Sequence, residues 1–226
     1  MPSASRDGVQ IHYELAGSAS PLVLIGGLSV HTGEYRALID ALARQHRVIA
    51  PDNRGAGLSD KPDEAYSYAM MSADALAVMD AAGVPSAHIV GFSMGASIAL
   101  ELCLAHPERV RTLTLIAGSA KERSRRRTRL LAGLAAVVAR DAGHGIRHQF
   151  RARRGYDATR RLGDVDVPTL VLHAQRDRLV AVAHGRELAR LIPDAQFQLM
   201  PGGHLGCLRV HALAYAERID AFSAHD

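Results

Sequence analysis

Residues 91–95, Gly-Phe-Ser-Met-Gly, are the residues of this chain best suited to nucleophilic chemistry. They match G-x-S-x-G, a pattern that is weak evidence alone because short Gly/Ser patterns also arise by chance. An apolar run typical of a strand, Ala87–Val90, precedes them, and one typical of a helix, Ala96–Leu102, follows. Such a strand–turn–helix is the geometry of a nucleophile elbow, so we predict Ser93 as a nucleophile.

A serine hydroxyl needs a base, but residue type alone cannot identify it among 12 histidines. His204 follows the strand pattern Phe197–Leu199 through a Pro-Gly-Gly turn, which can bring its imidazole to the sheet edge. His173, at the end of an earlier predicted strand, is a weaker candidate. Asp177 follows that same strand, and no carboxylate occupies the rival position at residues 117–119. We therefore predict His204 as the base and Asp177 as its orienting acid.

Two backbone N–H groups are expected to form an oxyanion hole for the charge that develops during acyl transfer. One is that of Met94, next after the serine. The other comes from residues 26–29, Gly-Gly-Leu-Ser, where the N–H of Leu28 is favoured over that of Gly27. Gly27 and Phe92, which flank these donors, are the predicted substrate contacts.

Short β-branched runs alternate with longer helical patterns, which predicts an α/β fold with a mostly parallel central sheet and helices on both faces. We expect the carboxyl ends of its strands to bring Ser93, Asp177 and His204 together at one edge of the sheet. The predicted strands are Val9–Tyr13, Leu22–Ile25, Val48–Ala50, His88–Val90, Leu113–Ile116, Leu170–Leu172 and Phe197–Leu199. The predicted helices are Ala37–Arg44, Ser72–Ala82, Met94–Ala105, Gly185–Leu191 and Leu208–Phe222.

The segment between the strands ending at Ile116 and beginning at Leu170 breaks this alternation. Residues 119–165 hold 13 basic and 4 acidic residues, a net charge of +9, against −5 for the remainder. We predict a short helical cap here, inserted between core segments 1–118 and 166–226; a poorly ordered loop is the alternative. Its charge indicates an anionic or carrier-bound substrate, or else a solvated basic face. Residues with helical spacing in it are Leu130, Leu131, Leu134, Val137 and Val138.

Residues 51–59, Pro-Asp-Asn-Arg-Gly-Ala-Gly-Leu-Ser, are similar to the D-x-R-G-x-G-x-S loop of a known family, and residues 106–110 resemble its link into the next strand. Together with the elbow and the chain order Ser, Asp, His, these motifs resemble the α/β-hydrolase superfamily, in its branch of small esterases, enol-lactonases, perhydrolases and carbon–carbon hydrolases. The resemblance implies the α/β-hydrolase fold and a catalytic triad. Gly26-Gly27 replaces the His-Gly of many relatives, and the cap is short. The site is therefore open, takes a bulky substrate, or is completed by another protomer.

Composition excludes several other classes of protein. The chain has 226 residues, 48% hydrophobic and 22% charged, which fits one globular domain with an insertion. No apolar run approaches a membrane span, and neither a signal peptide, a metal-ligand spacing nor a nucleic-acid motif is evident. We expect a cytoplasmic protein with no cofactor, no membrane or nucleic-acid partner, and unreactive thiols at Cys103 and Cys207; oligomeric state stays open.

The function predicted first is cleavage of a carboxylic ester, lactone or thioester of a small molecule through an acyl-enzyme, because an alkoxide attacks acyl carbon. Family members that open epoxides or displace halide carry Asp where this chain has Ser93. The alternatives are a carbon–carbon hydrolase, perhydrolase or secondary-metabolite tailoring enzyme, and a small-molecule receptor or pseudoenzyme. Neutralising Arg125, Arg126 and Arg127 is expected to raise KM for anionic substrates only.

Overall fold

The computed structural model describes residues 2–121 and 143–224. Within them one eight-stranded sheet has the order β1-β2-β4-β3-β5-β6-β7-β8. β1 pairs antiparallel with β2 and β2 antiparallel with β4, while all later pairings are parallel. The strands are β1 (Ser3–Arg6), β2 (Val9–Ala16), β3 (Ser20–Ile25), β4 (His46–Pro51), β5 (Ala87–Phe92), β6 (Val110–Ile116), β7 (Thr169–Ala174) and β8 (Gln196–Met200).

Helices cover both faces of this sheet, which is why the central strands are mostly apolar and are buried along most of their length. One core contains side chains of α2, α3 and α5, and the other contains side chains of α1 and α6. All six residues of β5 and of β7 are buried. The helices are α1 (Arg36–Leu42), α2 (Tyr68–Ala81), α3 (Met94–Ala105), α4 (Gly143–Ala152), α5 (Val182–Leu191) and α6 (Ala212–Ser223).

The predicted fold class is confirmed, and each predicted strand and helix is present, the helix Met94–Ala105 with the predicted ends and the others with one or both ends shifted. β1 is not among the predicted strands, because its residues Ser-Ala-Ser-Arg have low β propensity and bury only Ala4. α2 begins earlier than predicted because Ser67 caps it, its side chain accepting the N–H of Met70. α6 begins later, since the chain first forms a short 3₁₀ turn over Gly206–Leu208.

The described parts of the insertion are residues 119–121 and 143–165; the second part contains α4 and packs on the core. Gly145 lies against Gly55 so closely that a Cβ at residue 145 would stand 2.3 Å from the Gly55 carbonyl oxygen. Ile146 and Phe150 of α4 are buried. The predicted helical spacing at residues 130–138 and the arginines at 125–127 lie outside the described residues. The boundaries of a separate cap stay a prediction.

Candidate active site

Ser93 lies in the tight turn between β5 and α3. Its φ of 55° and ψ of −111° are a strained conformation for a residue with a side chain. The turn is held by the Ser93 N–H, which donates to the Ile116 carbonyl at 2.8 Å. The flanking glycines are required: a Cβ at Gly91 would stand 2.3 Å from the Gly95 carbonyl oxygen, and one at Gly95 would stand 2.1 Å from that of Ile25. The predicted elbow geometry is therefore present.

His204 and Asp177 reach Ser93 from the two loops that follow β8 and β7. The distance from His204 Nε2 to Ser93 Oγ is 3.0 Å, and that from His204 Nδ1 to Asp177 Oδ2 is 2.7 Å. The loops are joined by the Arg176 N–H, which donates to the Gly202 carbonyl. The structure thus brings together the three predicted side chains, 27 and 111 positions apart in the chain, in one hydrogen-bonded series.

The Asp177 carboxylate is fully buried and well supplied with donors. Its Oδ1 accepts the N–H groups of Leu179 and Val180, each at 2.8 Å. Burial, the largest influence, raises its pKa, but the hydrogen bonds from His204 and these two amides outweigh it, so the pKa lies below its ordinary value. Asp177 is therefore held ionised, which is the state that stabilises a protonated imidazole.

His173, the weaker candidate for the base, has a different position. It is completely buried behind Asp177, with Nε2 3.0 Å from the Val180 carbonyl oxygen and 3.6 Å from Asp177 Oδ2. Burial lowers the pKa of His173, which favours its neutral form. With Nε2 donating to the Val180 carbonyl, His173 packs the loop that carries Asp177 against α5, and it does not contact Ser93.

The loop between β3 and α1 supplies the second predicted oxyanion donor. Leu28 and Met94 both line the cavity that contains Ser93. Among the described residues, no acceptor pairs with the backbone N–H of either one. Met94 is also the first residue of α3, where backbone N–H groups and the helix dipole favour negative charge. Both amides are thus available to an oxyanion beside Ser93.

The two predicted substrate contacts do not line the cavity as described, and each has a structural role. Phe92 is only 2% exposed, and its ring packs on that of His204 with the centroids 5.1 Å apart. As the last residue of β5 its side chain turns into the core, where it packs against His204. Gly27 is buried against Phe92 and Ser93: a Cβ at residue 27 would stand 3.1 Å from the Phe92 ring and 3.3 Å from Ser93 Cβ. Gly27 therefore allows residues 26–29, which we call the oxyanion loop after their predicted donor, to lie close to Ser93.

The cavity at Ser93 has a volume of about 60 Å³ and draws several of its walls from the insertion. None of these insertion residues is predicted from the sequence, because their positions depend on the path of the chain between β6 and β7. Two of them, Lys121 and Arg153, are cationic, and no carboxylate is among the described lining residues. Besides the residues already named, the lining residues are Tyr68, Ser97, Ala117, Ser119, Tyr156 and Val180.

A larger groove of about 800 Å³ lies at the opposite, amino ends of the parallel strands. His46, His88 and Arg111 are among its lining residues. The hydrogen-bonded series at Ser93 lies beside the much smaller cavity and not in this groove.

Neither cysteine lines the cavity at Ser93. Cys103 and Cys207 are buried free thiols. Burial raises the pKa of Cys103 to about 12 and also raises that of Cys207. Over residues 2–121 and 143–224 no cluster of three or more His, Cys, Asp or Glu side chains is arranged to hold a metal ion. No helix in the same ranges has the length and apolar character needed to cross a membrane.

Several known proteins are similar to this chain in sequence, in fold, or in both. Residues 20–150 match the model of the family described as alpha/beta hydrolase fold. The protein named "Putative carbamate hydrolase RutD" of Azorhizobium caulinodans is 33% identical, over 87% of this chain and 88% of its own. The 2-hydroxymuconate semialdehyde hydrolase of Pseudomonas putida is 29% identical, over 92% and 84%. The solved structure of Est816, titled an N-acyl homoserine lactone degrading enzyme, superposes with a TM-score of 0.85 at 27% identity, covering 98% of this chain and 100% of Est816.

The family match covers more than half of the chain, and the carbamate hydrolase relative exceeds 30% identity over most of it. The sheet order and the elbow at Ser93 agree with that assignment. This chain therefore belongs to the α/β-hydrolase family and is a hydrolase of that fold.

Proposed function

We propose that this protein is a serine hydrolase that cleaves a carboxylic ester, lactone or thioester of a small molecule through an acyl-enzyme. The observation that carries the proposal is the series Ser93 Oγ, His204 Nε2 and Nδ1, Asp177 Oδ2, with separations of 3.0 and 2.7 Å. These distances allow direct proton transfer from the hydroxyl to the imidazole.

In the first half-reaction the Oγ of Ser93 bonds to the acyl carbon while its proton passes to Nε2 of His204. The carbonyl oxygen becomes an oxyanion, which the N–H groups of Leu28 and Met94 are available to stabilise. As the tetrahedral intermediate collapses, the leaving oxygen or sulfur takes the proton from His204. In the second half-reaction water attacks the acyl carbon, His204 accepts its proton, and that proton returns to Ser93 as the acid is released.

The names of the relatives support an electrophilic carbonyl substrate more broadly than they support an ester alone. A lactone and a carbamate both offer a carbonyl carbon to which an alkoxide can bond. A 2-hydroxymuconate semialdehyde contains no ester, so its hydrolysis must break a carbon–carbon bond. That relative, 29% identical, supports carbon–carbon cleavage by the same three residues as the second candidate.

The test is turnover of p-nitrophenyl acetate and butyrate, which is expected to disappear in Ser93→Ala and to persist in Ser5→Ala, a serine exposed on β1. Labelling of Ser93 by a fluorophosphonate without turnover of either ester would shift the assignment to the second candidate. Failure of the labelling as well would contradict the proposal and favour a receptor or pseudoenzyme.

We further propose that the substrate is anionic, since Lys121 and Arg153 line the cavity at Ser93 and the described lining contains no acid. A matched substrate pair tests this: 4-nitrophenyl hemisuccinate and its neutral methyl ester. In Arg153→Gln and Lys121→Gln the value of kcat/KM for the hemisuccinate is expected to fall roughly 10- to 100-fold, the worth of one charge-assisted hydrogen bond. The methyl ester is expected to change little, and an equal loss for both substrates would contradict anion recognition.

A further inference from the structure

Gln149, on α4, makes two hydrogen bonds that join the insertion to the core. Its Oε1 accepts the N–H of Ser29 at 2.9 Å, and its Nε2 donates to the carbonyl oxygen of Arg54 at 2.7 Å. This amide orientation satisfies both partners, since the reverse would set donor against donor and acceptor against acceptor. The side chain is fully buried in a helix where several neighbours carry charge. A buried amide with both ends paired fixes its two partners relative to each other.

The first partner belongs to the oxyanion loop. Ser29 directly follows Leu28, and its φ of 57° is a backbone conformation that costs energy for a residue with a side chain. Its N–H is the one that Gln149 binds. The same loop is held at its other end by Asn53, whose Nδ2 donates to the Gly26 carbonyl at 2.9 Å. The direction of the Leu28 N–H is therefore set between two side-chain anchors, and one of them comes from the insertion.

The second partner is rigid. Arg54 is 1% exposed, and its guanidinium binds Asp74 through two hydrogen bonds of 2.6 and 2.7 Å. The Arg54 carbonyl is thus a fixed point in the core, and Gln149 spans from it to the strained end of the oxyanion loop.

We propose that Gln149 is a positioning residue for the oxyanion hole, through which the basic insertion holds the N–H of Leu28 in its direction beside Ser93. The inference rests on the proposed function, because it assigns the Leu28 amide to oxyanion stabilisation. Without Gln149 the Ser29 N–H loses its buried acceptor, and the loop can rotate to find another one. The insertion then does more than cover the cleft, since its docking assembles part of the catalytic machinery.

The experiment measures the second-order rate constant for phosphonylation of Ser93 by a fluorophosphonate, which needs no knowledge of the natural substrate. In that reaction Oγ bonds to phosphorus, fluoride leaves, His204 takes the proton, and the phosphoryl oxygen occupies the oxyanion hole. Gln149→Met keeps the length of the side chain and removes both hydrogen bonds. Its rate constant is expected to fall about 10- to 100-fold, less than the full loss of one donor.

Asp63→Ala is the matched control, because it removes the carboxylate that binds His148, the neighbour of Gln149 on α4, and no hydrogen bond among the described residues joins Asp63 to residues 26–29. It loosens the same helix and is expected to leave the rate constant within about twofold. Equal slowing in both variants would show that Gln149 only anchors the helix, and would overturn the inference.

Gln149→Glu gives a second readout if the Met variant does not fold. Its protonated acid can both accept from Ser29 and donate to Arg54, whereas its carboxylate meets the Arg54 carbonyl unfavourably. The ratio of its phosphonylation rate constant to that of the wild type, measured at the same pH, is expected to fall as pH rises. A ratio that does not change with pH would overturn the inference. Absence of phosphonylation in the wild type would instead refute the proposed function, whereas wild-type rates in Gln149→Met would refute this inference alone.

Discussion

Replacing Asp177 by Asn separates the role of its charge from that of its shape. The Asn oxygen can keep the two hydrogen bonds that Asp177 Oδ1 accepts from Leu179 and Val180. Its NH₂ group then faces Nδ1 of His204, which must become an acceptor. The imidazole proton therefore moves to Nε2, where it points at Ser93, and the ring can no longer accept the serine proton.

The size of the effect follows from the cost of the opposite Asn orientation. Turning the Asn oxygen toward His204 sets its NH₂ against the N–H groups of Leu179, which is exposed, and Val180, which is partly buried. Leaving a buried N–H unpaired costs about 1–3 kcal/mol, and the cost is smaller where water can reach the group. The inactive tautomer is therefore favoured by about 1.4–4 kcal/mol, which corresponds to a loss of roughly 10- to 10³-fold in kcat. Loss of the carboxylate charge that stabilises the imidazolium acts in the same direction.

The assay is kcat for p-nitrophenyl butyrate, normalised to active sites counted by fluorophosphonate labelling, with thermal unfolding measured in parallel. Asp164→Asn is the control, because Asp164 is an exposed acid in the insertion, five residues before β7 begins at Thr169. Asp177→Asn combined with His204→Ala is expected to be no slower than His204→Ala alone, since the two residues act as a unit. A loss in kcat of less than tenfold, in a variant that still requires Ser93, would refute the tautomer argument.

Three further predictions concern the fold beneath the site. Gly95→Ala is expected to give little folded protein, because its Cβ would stand 2.1 Å from the Ile25 carbonyl oxygen in β3. Gly163→Ala, with open space around residue 163, is the control and should express normally. Equal yields of the two variants would contradict the packing argument. Asp74→Asn is expected to lower the free energy of unfolding in urea by about 3–5 kcal/mol, because it breaks the buried pair with Arg54, and a loss below 1 kcal/mol would argue against it. Since the pKa of Asp177 is depressed in the folded protein, its ionisation stabilises the fold above about pH 4 and this contribution is lost as pH falls further. The stability difference between wild type and Asp177→Asn should therefore shrink in acid, and a difference independent of pH would be inconsistent with the depressed pKa.

Local sequence was sufficient where one short segment determines its own geometry. The glycines at 91 and 95 are needed within the elbow itself, and the apolar run before it forms β5 as predicted. The residues that follow strand ends were identifiable for the same reason, because parallel strands deliver their carboxyl ends to one edge of the sheet. Local pattern failed for β1, whose polar residues become a strand only through pairing with β2.

Some side chains gain their place only from contacts between distant segments. Phe92 looks like a pocket residue in the chain, yet the pleat of β5 turns it inward against His204. Lys121 reaches the cavity from the chain that leaves β6, and Arg153 reaches it because the insertion returns over the sheet, which no spacing pattern records. Gln149 is one uncharged residue in a basic segment, and its bonds run 120 and 95 positions back along the chain.

The sequence by itself thus determined the type of sheet, the elbow, and the order of the three residues that meet at it, because each depends on residue types within one element or at its end. Tertiary structure decided which side chains line the cavity and which residue ties the insertion to the oxyanion loop. Those relations join backbone groups on separate elements, and only the packed chain brings such groups within the 3 Å range of a hydrogen bond.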